Sequence, residues 1–318
     1  MALTAPTGAD HEAIEALLRE ELFRADEAIV HQGPILRYLL RNDDSSIFSD
    51  DVIARVRGMV DDIARQLIDA LDEDEDAGEG DAFCSRLASH LCTDQSLLDH
   101  LHMLAVEWQL TEKLQGRLGL DPVLTPLLQE LIAAPDPDVA ARGMNLLAAQ
   151  ARFGQTVRRM QAPLIELPAD LHAAALTALK ATFGADPAAH AAVAAPQARL
   201  HAARVAHSSR LDLLAHAVEA VGGALPEALS VQNAGVALFL SGLGIAAGIP
   251  REAAVMCTTD GQRARLLLAM AAAGMARGNV VANFSAIHPD VSLPSDVDSV
   301  HPDRAAALLS ASRIGARG

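Results

Sequence analysis

The stretch VAHSSRLDLLAH (Val205 to His216) places His207 three residues before Arg210, among small side chains. An imidazole exposed on a helix can accept a phosphoryl group on nitrogen while a nearby guanidinium holds the anion. His207 is therefore the candidate phosphoacceptor of a signalling relay. Two features oppose that chemistry: no glycine follows Arg210, and Asp212 repels a phosphate. Arg158 and Arg159, after ARFGQTV, form the densest basic spot of the later chain. Adjacent guanidiniums can clamp a carboxylate or phosphate on a partner, and the same charges suit a solvent-facing helix end. The run LDEDEDAGEGD (residues 71–81) puts Asp72, Asp74 and Asp76 at the first three ligand positions of a calcium loop. Ala77 then stands where the turn glycine belongs and Phe83 where the bidentate glutamate belongs. Such a run repels itself, so it reads as an acidic loop, solvated or facing a basic partner.

Other constellations fall short of a reaction centre. Cys84, His90 and Cys92 lack zinc spacing and a fourth ligand. Asp99 and His102 share a helix face, but a di-iron bundle needs Glu-x-x-His pairs, and the chain has none. The pairs Asp43-Asp44, Asp50-Asp51 and Asp61-Asp62 do not extend to the aspartate-rich magnesium box; Ile47 holds its last position. SGLGIAAG carries Gly242, Gly244 and Gly248 after a helix-like run, which fits close packing better than dinucleotide binding. Nucleophile-elbow, phosphate-loop and His-Glu-x-x-His signatures are missing. No catalytic, cofactor or metal residue is assigned, and a non-enzymatic protein without a cofactor is expected.

Positioning elements follow from composition. Hydrophobic residues make up 51% of the 318-residue chain but aromatics only 3%. The apolar content is chiefly Ala, Leu, Val and Ile without sustained alternation, which predicts an all-α fold. A first helix is expected over Thr7 to His31, stopped by Gly33 and Pro34. A second covers Asp50 to Leu71, with Val52, Val56, Met59, Val60, Ile63, Leu67 and Leu71 on one face. Asp121-Pro122, Asp136-Pro137 and Asp186-Pro187 read as helix starts, aspartate capping a free N–H that proline does not need. Thr259 and Gln262 fit a capping box before a helix that Gly278 closes. The run from Pro187 to Val221 is expected to break near Ala195, ahead of Pro196. The domain reading is an acidic helical part over 1–71, an acidic loop over 72–81, a helical array over 82–278 and a loose tail over 279–318 with one short helix near Pro302.

Net charge is −16, with 25 acids and 10 bases in residues 1–118 against 16 and 15 in residues 119–318. That acidity disfavours nucleic acid as a partner. Three cysteines make no disulfide framework, and the N-terminus lacks a basic start with an apolar core, so a cytoplasmic protein is expected. Val231 to Ile249 reads as a buried core helix, so no membrane span is expected.

Aligning Asp138-VAARGMNLLAAQ with Asp170-LHAAALTALKAT gives an offset of 32 residues. Repeats of that order predict irregular stacked helical hairpins, an α-solenoid. GLDPVLTPLLQELIAAPDPDVAARGMNLLAAQARF and ALFLSGLGIAAGIPREAAVMCTTDGQRARLLLAMAAAG resemble a bacterial family of uncharacterised HEAT-like helical-repeat proteins, a domain of unknown function. The resemblance spans roughly residues 120–278. It implies an all-helical repeat fold and transfers no catalytic residue. The expected role is binding another protein in regulation or scaffolding, with Arg158, Arg159 and the acidic loop as contacts. The alternatives are a relay through His207, or a carrier of a small apolar ligand between helices near Leu238 to Ile249. Oligomeric state stays open.

Overall fold

Alanine- and leucine-rich segments with little β-branching form helices and bury one stripe each, and that is what the chain does. A computed structural model describes residues 15–28, 36, 50–71, 77–185, 187–222, 225–291, 293 and 300–311, and among them there is no strand. In chain order the helices are α1 (15–28), α2 (Asp50–Asp69), α3 (Ala77–Leu91), α4 (Gln95–Leu118), α5 (Pro126–Ile132), α6 (Pro137–Arg158), α7 (Ala169–Thr182) and α8 (Pro187–Ala192). They continue with α9 (Ala194–Ala206), α10 (Arg210–Val221), α11 (Leu225–Ala228), α12 (Val231–Ala247), α13 (Arg251–Met256), α14 (Arg263–Ala272), α15 (Arg277–Ile287) and α16 (Pro302–Ser310). None of the described helices is long and apolar enough to cross a membrane.

The chain divides into two compact units assembled from interleaved segments. Unit I comprises Met1–Gln32, Gln109–Leu147 and Leu214–Gly318; unit II comprises Gly33–Trp108 and Ala148–Leu213. These cuts differ from the expected boundaries at 71, 82 and 278. Within unit II, α2 packs on its chain neighbour α3, and both also pack on α7, far along the chain.

The α2 stripe meets its expectation: Val52, Val56, Met59, Val60, Ile63 and Leu67 are buried, facing Phe83, Leu87 and Leu91 of α3 and Ala175 and Leu179 of α7 in one core. The other edge of α2 grips the loop after α6. Asp62 accepts from the Ala162 N–H (3.1 Å), and the Gln66 amide bridges the Ala162 carbonyl (2.9 Å) and the Leu164 N–H (2.8 Å). Arg55 donates to the Val157 carbonyl at the end of α6. These bonds hold residues 159–166 in place, and those residues form one wall of the site described below.

Several expected boundaries shift, each for a local reason. Asp121-Pro122 makes a turn, its carboxylate accepting from the Val123 and Leu124 N–H groups, and α5 starts four residues later with Thr125 as its cap. Asp136 does cap α6, accepting from the Asp138 N–H. Pro187 opens α8, while Asp186 lies outside the described residues. Thr259 and Gln262 form no capping box: the Thr259 hydroxyl donates to Met256, Gln262 donates to the Ala25 carbonyl, and residues 260–262 make a 3-10 turn. The chain turns at Gly274 (φ 68°), and Gly278, expected to close this helix, lies inside α15, most of which falls in the segment read as loose tail. Residues 77–81, read as acidic loop, begin α3. Asp72, Asp74 and Asp76, and most of the expected first helix beyond 15–28, lie outside the described residues.

In unit I, Leu238, Phe239, Leu240 and Leu243 of α12 are packed core. On the same helix, Gly242 comes close enough that an added Cβ would stand 3.3 Å from the Ala228 Cβ. A buried ion pair between Arg265 and Asp26 ties α14 to α1.

Burial also carries a pH dependence. His102, in the unit II part of α4, has its pKa lowered from 6.5 to about 4 by desolvation. Well above pH 6.5 the imidazole is neutral folded and unfolded, and costs nothing. As pH falls from 6.5 toward 4, the unfolded chain takes the proton first, so stability is lost. Between pH 7 and pH 4.5 this group alone removes roughly 2–3 kcal/mol. Urea titrations should show His102→Gln losing less stability over that interval by about that amount; equal losses in wild type and variant would refute the assignment.

Candidate functional site

The break between α9 and α10 builds the site. Arg204 donates to the Leu167 carbonyl and, at 3.3 Å, to the His207 carbonyl, ending α9 with His207 as its C-cap in extended conformation. Ser209 then caps α10 reciprocally with Asp212: the carboxylate accepts from the Ser209 hydroxyl (2.7 Å) and N–H (3.1 Å), and the Asp212 N–H donates to the hydroxyl (3.3 Å). Asp212 is thus part of a Ser-x-x-Asp capping box, a signal present in the sequence.

Arg210, first residue of α10, turns inward and is 4% exposed. Its guanidinium meets both Glu107 oxygens at 2.9 Å and the Gln150 oxygen at 2.8 Å, with its plane 3.7 Å from the Phe153 ring centre. A fork-on-fork pair satisfies both charges where water cannot.

Glu166, at the end of the 3-10 turn Leu164–Glu166, holds the junction from the other side. One oxygen accepts from the Arg210 N–H at 2.8 Å; the other lies 2.9 Å from His207 Nε2. The carboxylate sits at the α10 N-terminus, where the helix dipole favours it. It also orients the imidazole through this contact. His207 therefore lies past a helix end against a carboxylate, rather than on the open helix face a phosphoacceptor uses, and the Glu166 charge opposes an incoming phosphoryl group.

Glu166, His207 and Arg210 line a cavity of about 220 Å³ in unit II. Its apolar wall includes Met59, Leu104, Phe153, Ile165 and Leu211; its polar wall includes Arg152, Arg159, Glu166, His207 and Arg210. The two arginines expected to act as a clamp separate here. Arg158 lies over the Trp108 ring at 5.1 Å, while Arg159 lines the cavity with Arg152. Arg152 went unread in the sequence, although seven residues make nearly two helical turns and so place 152 and 159 on one side. Thr156 is the one hydroxyl among the cavity residues, and it donates to its own helix backbone. Among the described residues no three His, Cys, Asp or Glu side chains converge to hold a metal. Cys257 is buried in unit I, where desolvation pushes its thiol up to about 12.

No protein-family model matches the chain, and neither curated proteins nor solved structures give a match.

Proposed function

We propose that the protein binds one small, largely apolar molecule in the unit II cavity, a carrier or sensor role without covalent chemistry. The observation that carries this reading is the cavity itself: about 220 Å³, with an apolar wall and a few fixed polar groups. An apolar cavity of about 150 Å³ accommodates benzene, so a single ring with a short chain is the right scale. Mixed walls of this kind are usual for small-molecule sites. The Glu107–Arg210–Gln150 network and the capped α10 start hold one side rigid, which lowers the ordering cost of binding.

A second reading keeps a protein partner on HEAT-like stacked hairpins over roughly 120–278. It is supported by the serial packing of α11 on α12 and α12 on α13, and by an exposed Arg158. The readings part at the cavity, which only the first needs open.

The test is calorimetric titration of the full chain with 3-phenyl-1-propanol. A ligand of ten heavy atoms at ordinary efficiency gives a Kd of about 1 mM or tighter. Ala149→Phe and Leu104→Trp, each filling the cavity, should abolish the binding while the circular-dichroism spectrum stays native. No binding to wild type at about ten times that concentration, or unchanged binding in both variants, overturns the reading.

A further inference from the structure

We propose that the cavity selects a small monocarboxylate, with its apolar body against Phe153, Leu104 and Met59 and its carboxylate at Arg152 and Arg159. This rests on the cavity being a binding site, as proposed above, and names the class of molecule it takes.

The ionic groups of the wall are Arg152, Arg159, Arg210 and Glu166, with the imidazoles of His100 and His207 beside them. Arg210 is committed to Glu107 through two bonds of 2.9 Å. Glu166 is committed to His207 and to the first N–H of α10. Arg152 and Arg159 are exposed at the rim, and neither guanidinium has a carboxylate partner among the described residues. Two uncompensated cations therefore remain at the mouth of an apolar space.

The setting sharpens this. The two sequence segments of unit II carry 21 acidic and 13 basic residues. Arg152 and Arg159 are the arginines without a carboxylate partner that line the cavity, and there they complement an anion from outside. Planar guanidiniums match a carboxylate in shape and charge. A neutral head group gains less from them than an anion does, and a cationic one is repelled. Gln155 and Gln161, also at the wall, add amide donors for the same oxygens.

Titrating the full chain with 3-phenylpropionate, 3-phenylpropionamide and 3-phenylpropylamine tests the assignment. The carboxylate should bind about tenfold or more tightly than the amide, and the amine most weakly. Arg152→Gln with Arg159→Gln should remove the carboxylate preference and leave amide affinity unchanged, which also reports an intact cavity. Equal affinity for carboxylate and amide in wild type, or a preference that survives in the double variant, overturns the head-group assignment while leaving the cavity reading standing. Failure of all three probes and of 3-phenyl-1-propanol to bind wild type removes both.

Discussion

Glu107→Ala should lower unfolding stability by about 3–5 kcal/mol, among the largest losses any single substitution in this chain can cause. The Glu107 side chain is 1% exposed and that of Arg210 5%. Removing the carboxylate leaves a guanidinium that cannot shed its proton, buried with Gln150 and the Phe153 face as its remaining partners. Arg210→Met leaves the Glu107 carboxylate buried without its guanidinium. Glu107→Leu with Arg210→Met replaces the pair by apolar side chains of similar volume and should cost much less than the sum of the singles, because neither charge is stranded. Urea unfolding of the four proteins completes the cycle. Singles that each cost under about 1.5 kcal/mol, or a double variant that costs their sum, would show that the pair is not the buried, mutually dependent unit described here. The loss should reach the cavity as well, since Arg210 opens α10 and its N–H holds Glu166.

The second large effect lies in unit I. Gly235→Ala should destabilise by about 3–5 kcal/mol, combining backbone strain with overpacking. Gly235 sits at φ 68°, ψ 177° inside α12, a conformation that side chains other than glycine's hydrogen rarely adopt. An added Cβ would stand 2.3 Å from Thr125 Cγ2. Thr125 cannot yield freely, because its hydroxyl accepts from the Leu128 N–H and caps α5. The contrast is Gly116→Ala in α4, where a Cβ meets nothing within 4 Å. There the substitution should stabilise by about 0.5–1 kcal/mol, as in any open helix position. Thermal or urea unfolding separates the two; a Gly235→Ala protein within about 1 kcal/mol of wild type contradicts the backbone assignment.

Features decided within a few residues were legible. The α2 stripe follows from apolar spacing alone, and Asp136-Pro137 and Pro302 do open α6 and α16. Asp121-Pro122 misled because the same two residue types also make a turn, and Thr125 offered the nearer cap. The capping box at Thr259 failed because Gln262 is drawn to Ala25, a partner 237 residues away. At the site, Ser209-x-x-Asp212 and the spacing of Arg152 and Arg159 were in the sequence to be read. His207 was singled out there for a different chemistry.

What the sequence alone determined is the helical state of the chain and the apolar stripe of helices such as α2, because propensity and periodicity act through neighbours three and four residues apart. What only the tertiary structure decided is which faces meet. Glu107 and Gln150 reach Arg210 across 103 and 60 residues, and Glu166 reaches His207 across 41. An amphipathic stripe specifies that it must be covered and says nothing of by what. The return of the chain to unit II over Ala148–Leu213 supplies that cover, and with it the cavity.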